Sequence, residues 1–149
     1  MKARTKETSK QQKRGIAEGY RSGLEVSIGD ELNALSLSYE YESLKIKYEQ
    51  PQKSRTYTPD FVFPGSNIII ETKGRFVTAD RQKHILVKDQ HPELDVRFVF
   101  SNPNGRISKI SKTTYAMWCE KYGFKYAKRT IPQEWLQEIK KQIKENKHV

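Results

Sequence analysis

The stretch Tyr57-Thr58-Pro59-Asp60-Phe61-Val62-Phe63-Pro64-Gly65-Ser66-Asn67-Ile68-Ile69-Ile70-Glu71-Thr72-Lys73-Gly74 decides how the rest of the chain is read. It divides into two strands, 56–63 and 67–73, joined by Pro64-Gly65-Ser66. Ile68 to Ile70 has apolar residues of both parities and reads as a strand covered on both faces. Residues two apart on a strand share a face, so Glu71 and Lys73 point the same way at the rim of the core. If Gly65-Ser66 forms a two-residue type II′ turn, with glycine at its first central position, Asp60 lies directly opposite Glu71. Opposed Cβ atoms on paired strands sit about 4.5–5.5 Å apart, close enough for two carboxylates to grip one ion. Two like charges at that distance would otherwise push one pKa up, and a hard divalent cation relieves the conflict. Lys73 beside such an ion can orient or deprotonate the attacking water, or stabilise charge developing on a phosphate. Taken singly, Glu-x-Lys is an ordinary surface ion pair and Pro-Asp an ordinary strand end.

Upstream, Ser22-Gly23-Leu24-Glu25 matches a capping box, and Leu24, Ile28, Leu32 and Leu35 follow at helical spacing. Glu25 is explained by the helix start alone, yet it also falls in register with the apolar positions and so can turn inward. A strand is expected over Tyr39 to Tyr48. Its alternation slips by one residue near Glu42 and Ser43, which implies a bulge or a strand that leaves one sheet and continues elsewhere.

Downstream, the pattern predicts a helix from Thr78 to Gln90, ended by His91-Pro92, and a strand over Val96 to Phe100. Tyr115, Trp118, Cys119 and Tyr122 mark a helix that stops at Gly123, and a short strand follows at Phe124 to Ala127. Pro132 at N1 opens a last helix through Trp135, Leu136, Ile139 and Ile143. The expected class is α/β in the broad sense, a mixed sheet flanked by helices in the order α-β-β-β-α-β-α-β-α.

Composition narrows the function. The 149 residues carry 28 Lys and Arg against 18 Asp and Glu, a formal charge of +10. A polyanion is the leading partner, though charge argues for association and not for chemistry. No apolar run is long enough to span a bilayer, and the charged N-terminus lacks the apolar stretch of a secretory signal. A single cysteine, Cys119, excludes both a disulfide framework and a cysteine-built zinc site. His84, His91 and His148 lack metal-ligand spacing and read as surface or helix-end residues. Residues 1–19 are expected to be a disordered basic arm, in which Lys2, Arg4, Lys6, Lys10, Lys13 and Arg14 either solubilise the chain or lie on phosphates. Arg81, His84 and Lys88 form one helix stripe, which either meets phosphates or is simply solvated.

Together, Arg21-Ser22-Gly23-Leu24-Glu25, Tyr57-Thr58-Pro59-Asp60-Phe61, Glu71-Thr72-Lys73-Gly74, Arg81-Gln82-Lys83-His84 and Gln90-His91-Pro92-Glu93-Leu94-Asp95 resemble the endonuclease I family of lytic phages. Those enzymes resolve four-way DNA junctions and belong to the PD-(D/E)xK, restriction-endonuclease-like superfamily. The resemblance runs from about Tyr20 to Trp135, and the link between Asp60 and Glu71 is one residue longer than the family pattern. It implies catalytic Glu25, Asp60, Glu71 and Lys73, with Asp60, Glu71, Glu25 and the Thr72 carbonyl binding one or two Mg²⁺ ions, for which Mn²⁺ would substitute. DNA contacts would come from Arg21, Arg81, Lys88 and the arm. It further implies one nuclease domain over 20–149 and an intertwined homodimer in which 20–50 is exchanged between protomers. The setting would be the cytoplasm of an infected bacterium, with branched DNA as substrate and neither a membrane nor a small-molecule cofactor involved. Two rivals remain: a duplex-cutting endonuclease of the same fold, and a basic DNA-binding module without catalysis.

Overall fold

The computed structural model describes residues 23–50 and 53–146. The arm lysines and arginines, Arg21, Ser22 and His148 therefore lie outside the described residues. The chain divides into two compact units, Met1–Ser38 and Tyr39–Val149.

In the first unit, helix α1 spans Gly23–Ala34, with Glu25 in its first turn and buried positions at Gly23, Glu25, Val26, Ile28, Gly29 and Leu32. Glu25 thus turns inward, as its register allowed. Leu35 does not join this face and is exposed, because the helix has ended. Ser36 takes a left-handed φ of 53°, its N–H reaches the Asn33 carbonyl, and the Leu37 N–H reaches Leu32. This is a Schellman stop that uses serine where glycine is usual, and both Leu32 and Leu37 are buried.

The second unit is built on a five-stranded mixed sheet. Its strands are β1 (Glu40–Tyr41), β4 (Phe61–Val62), β5 (Ile68–Lys73), β6 (Asp95–Phe100) and β7 (Lys125–Lys128), in that spatial order. β1, β4 and β5 pair antiparallel, while β5, β6 and β7 run parallel. A separate antiparallel hairpin joins β2 (Ile46–Gln50) to β3 (Lys53–Tyr57). The helices are α2 (Thr78–Gln90), α3 (Tyr115–Tyr122) and α4 (Gln133–Asn146). Ile69, Val96, Phe98 and Phe100 on one sheet face pack with Val87 of α2, Trp118 and Cys119 of α3, and Ile46, Tyr48 and Tyr57 of the hairpin. On the other face Arg97 is buried, bonded to Asp95 and to Glu138 of α4, with its guanidinium 5.4 Å from the Trp135 ring. The mixed sheet flanked by helices agrees with the expected class.

Two expected strands are each cut in two. The 39–48 strand breaks at Glu42, whose φ of 49° turns the chain out of the main sheet and into the hairpin. Tyr39 and Tyr41 therefore pack on Phe61, at ring distances of 5.3 and 5.2 Å, while Ile46 and Tyr48 join the cluster under α2. The 56–63 strand breaks at Thr58-Pro59, where proline lacks the N–H a ladder needs. The connecting turn also moves by one residue. The Ser66 N–H reaches the Phe63 carbonyl, so Pro64 and Gly65 are the central pair, and Gly65 carries φ of 93°. Proline first and glycine second is the type II arrangement, in place of II′ at Gly65-Ser66. The expected register survives the change of turn: Phe61 faces Ile70 and Val62 faces Ile69.

Candidate functional site

Three acidic residues line up across neighbouring strands. Tyr41 faces Phe61, and the Glu42 N–H continues that pairing to the Asp60 carbonyl at 3.1 Å. Phe61 faces Ile70, and the Asp60 N–H continues that pairing toward Glu71, donating to its side-chain Oε1 at 3.1 Å. The row Glu42, Asp60, Glu71 thus crosses from the end of β1 through the start of β4 to β5. Carboxylate oxygens of Glu42 and Asp60 lie within 4.8 Å of each other. Asp60 and Glu71 are each only 2 % exposed, so their charges sit where solvent screening is weak.

Each carboxylate is held by specific donors. Asp60 Oδ2 accepts from the Thr72 N–H at 2.9 Å and from the Thr72 hydroxyl at 3.0 Å. Glu71 Oε1 accepts from the Tyr57 hydroxyl as well as from the Asp60 N–H. Glu71 Oε2 stands 4.0 Å from Lys73 Nζ, which is also 3.7 Å from Asp80 of α2. Glu71 and Lys73 therefore share one face of β5, as the strand period requires. Burial and then the Asp60 charge push the Glu71 carboxyl up to about 8, against the opposing pull of Lys73, the Tyr57 hydroxyl and the Asp60 N–H. Burial, then the Glu71 charge, lifts the Tyr57 phenol well above its ordinary value, so it stays a donor.

This donor set suits a hard cation. The ligand atoms on offer are carboxylate oxygens, the class Mg²⁺ and Ca²⁺ prefer. A dication would also offset the burial and the Asp60 repulsion that together push the Glu71 carboxyl up.

The sequence brought Asp60, Glu71 and Lys73 to one place, and the structure agrees. It missed Glu42, whose partner lies in a strand that is not its hairpin neighbour. The phase slip at that residue was the available signal. It also missed Tyr57 and the Thr72 hydroxyl. The expected role of Thr72 is through its carbonyl, and its amide and hydroxyl in addition fix Asp60. Glu25 lies in the first unit, buried on α1.

The α2 stripe needs correction. Arg81 is only 9 % exposed, and its guanidinium binds the Phe76 carbonyl and, at 2.9 Å, the Thr78 hydroxyl. It ties the β5–α2 loop to the first turn of the helix instead of facing phosphate. His84 is 1 % exposed, not a surface residue, with ring centroids 5.1 Å from Tyr57 and 4.8 Å from Phe98. Both its nitrogens are buried without a hydrogen-bond partner among the described residues. Burial first, then Lys73 and Lys83, keeps the ring neutral, so it acts as an apolar wall behind Tyr57. The stripe is buried because Arg81 and His84 share their helix face with Val87. Lys88 is exposed, and its Nζ donates to the Gly123 carbonyl at 2.8 Å and lies 4.5 Å over Phe124. Among the described residues no helix is long and apolar enough to cross a membrane.

Comparison with known proteins places the chain in a family. The chain is 45 % identical over 124 residues to Endonuclease I of Escherichia phage T7, covering 83 % of each chain. It is 43 % identical over 124 residues to Endodeoxyribonuclease 1 of Enterobacteria phage T3, covering 83 % of this chain and 81 % of that one. The Phage endonuclease I family matches residues 5–148, a span that takes in the acidic row and Lys73. With nearly the whole chain matched, the protein belongs to the phage endonuclease I family.

Proposed function

We propose that the protein is a Mg²⁺-dependent endodeoxyribonuclease that resolves four-way and other branched DNA junctions by hydrolysing phosphodiester bonds. The observation that carries this reading is the row of half-buried Glu42 and buried Asp60 and Glu71 beside Lys73. The relatives' names, an endonuclease and an endodeoxyribonuclease, support DNA as the substrate. Asp60 and Glu71, with the Thr72 carbonyl and Glu25, would hold the cation, and Glu42 is placed to join them. A bound Mg²⁺ supplies Lewis-acid polarisation of the phosphate and lowers the pKa of water. Tyr57 and Thr72 keep two of the carboxylates in fixed rotamers, so little reorganisation is needed when the substrate arrives. Lys73, poised between Glu71 and Asp80, orients the nucleophilic water or offsets charge on the scissile phosphate.

The working unit in this reading is a homodimer of restriction-endonuclease-like subunits that exchange 20–50, so that Glu25 serves the partner's site. Its place of action is the cytoplasm of the infected host, where phage recombination intermediates and host DNA are found. The deciding experiment compares cleavage of a four-way junction with cleavage of its linear arms in Mg²⁺ at matched concentrations. Resolution of the junction with the arms spared is expected. Equal cutting of both would assign a duplex endonuclease, and binding without cutting would assign a non-catalytic module.

A further inference from the structure

Of the α2 stripe only Lys88 is exposed, since Arg81 and His84 are buried. Beyond the end of β5, a crevice of about 370 Å³ opens between residues 75–77 and 106–109. Arg75, Arg106 and Lys109 line it, with Phe76 and Tyr115. Among the described residues none of the three cations has an acidic partner within 4.0 Å. The sequence explains this in part, because no Asp or Glu stands between Asp95 and Glu120.

The crevice is shaped. The Ser101 N–H donates to the Lys73 carbonyl at 3.1 Å, tying the loop after β6 to the strand that ends in Lys73. Arg106 and Thr114 form an antiparallel bridge, and the Ile107 N–H reaches the Thr113 carbonyl at 2.9 Å. The Asn104 N–H closes a turn on Asn102 Oδ1 at 3.1 Å. A side chain at Gly105 would put its first carbon 2.9 Å from Tyr115 Cε2, so the backbone there can approach the ring only as glycine. Arg106 and Lys109 are thus displayed on a braced loop, two residues of chain beyond the active-site strand facing them from Arg75.

We infer that Arg75, Arg106 and Lys109 form a backbone-phosphate subsite that holds the DNA next to the scissile phosphate. The ligand is a phosphodiester of a duplex arm, recognised by charge and by the fork of two guanidinium groups, without base readout. The inference rests on the DNA-cleaving function proposed above, and its test separates the two.

The test uses the full-length protein and a four-way junction in EDTA, with binding measured across a salt series. Arg106→Gln with Lys109→Gln removes two exposed cations and should keep the wild-type melting profile. Loss of two phosphate contacts should flatten the slope of log K against log salt by about 1.8. Lys140→Gln with Lys141→Gln removes the same charge from exposed positions of α4 and should leave the slope nearly unchanged. A neutral methylphosphonate, scanned through the phosphates on each side of the cut, should weaken wild-type binding at the contacted position. At that position it should cost the Arg106/Lys109 variant far less. Equal slope losses in the two double variants, or additive effects at every phosphate, would overturn the subsite. Failure of the wild type to bind DNA at all would instead overturn the nuclease reading.

Discussion

The Tyr57 hydroxyl and the Asp60 backbone N–H converge on one oxygen of Glu71, Oε1. Tyr57 ends the β2–β3 hairpin and Asp60 begins the main-sheet segment, with only Thr58-Pro59 between them. The break that proline imposes in the strand therefore places a side-chain donor and a main-chain donor on the same carboxylate. Oε2 is left toward Lys73. His84 and Lys83 complete the arrangement from α2, the first against the phenol ring and the second 5.6 Å over it.

Tyr57→Phe keeps the ring and its packing and removes only the donor. Hydrogen bonds to charged groups contribute about 1.5–3 kcal/mol, so single-turnover cleavage should fall by roughly 10- to 100-fold. The Mg²⁺ concentration for half-maximal cleavage should rise as well, since Glu71 is no longer held in place. A variant that loses thermal stability yet keeps the wild-type Mg²⁺ dependence would make Tyr57 a packing residue only.

Thr72 offers a finer comparison. Thr72→Val deletes the hydroxyl that binds Asp60 Oδ2 but keeps the β-branched shape and the backbone N–H. Cleavage should drop about tenfold, in line with one lost bond to a carboxylate. Thr72→Ser retains the hydroxyl and should recover most of that loss. If valine and serine behave alike, methyl packing and not the hydroxyl is what matters at this position.

In metal-free protein Glu71 should contribute more stability in mild acid than in mild base. The buried neutral His84 contributes with the opposite sign, so the difference between wild type and Glu71→Gln isolates Glu71. Glu71 is pushed up to about 8 by burial and by Asp60, whereas in the unfolded chain it titrates near its ordinary value of 4.5. Between those values the folded state holds a proton that the unfolded state has released, so stability falls as pH rises. The contribution is fully present below the unfolded pKa and is gone above about pH 8. Its slope is on the order of 1 kcal/mol per pH unit at the steepest. Urea midpoints in EDTA at several pH values would show it. Glu71→Gln, which mimics the neutral acid, should flatten this window, and parallel curves for variant and wild type would refute the assignment.

The sequence disclosed the site more completely than the sheet that builds it. Asp60, Glu71 and Lys73 were legible because they depend on a local hairpin, whose register can be reached through more than one turn. The type II turn at Pro64-Gly65 and the expected II′ turn both leave Asp60 facing Glu71. Glu42 was hidden because β1 pairs with β4 across an intervening hairpin, a long-range contact that periodicity does not record. His84 was misread for a different reason. Its helix is polar enough that histidine and arginine looked solvated, yet Tyr57 and Phe98 cover one, and the Phe76 carbonyl and Thr78 hydroxyl bind the other. In each case the missing information was what packs on the residue, not the residue's own chemistry.

The exchange of Glu25 between protomers can be tested by complementation. Glu25→Ala and Glu71→Ala should each be inactive alone, because one lacks a proposed ligand and the other a carboxylate of the acidic row. Unfolded together and refolded, they form mixed dimers. If Glu25 serves the partner chain, one site of the mixed dimer collects both lesions. The other takes Glu25 from the Glu71→Ala chain and Asp60, Glu71 and Lys73 from the Glu25→Ala chain, so it is whole. Such a dimer should nick one strand of a junction without making the paired cut, at up to half the wild-type nicking rate per dimer. If Glu25 serves its own chain, each site of the mixed dimer carries one lesion and no nicking returns. Verified heterodimer that fails to nick would therefore defeat the exchange and leave Glu25 either as a ligand for its own chain or as the acid of a helix cap.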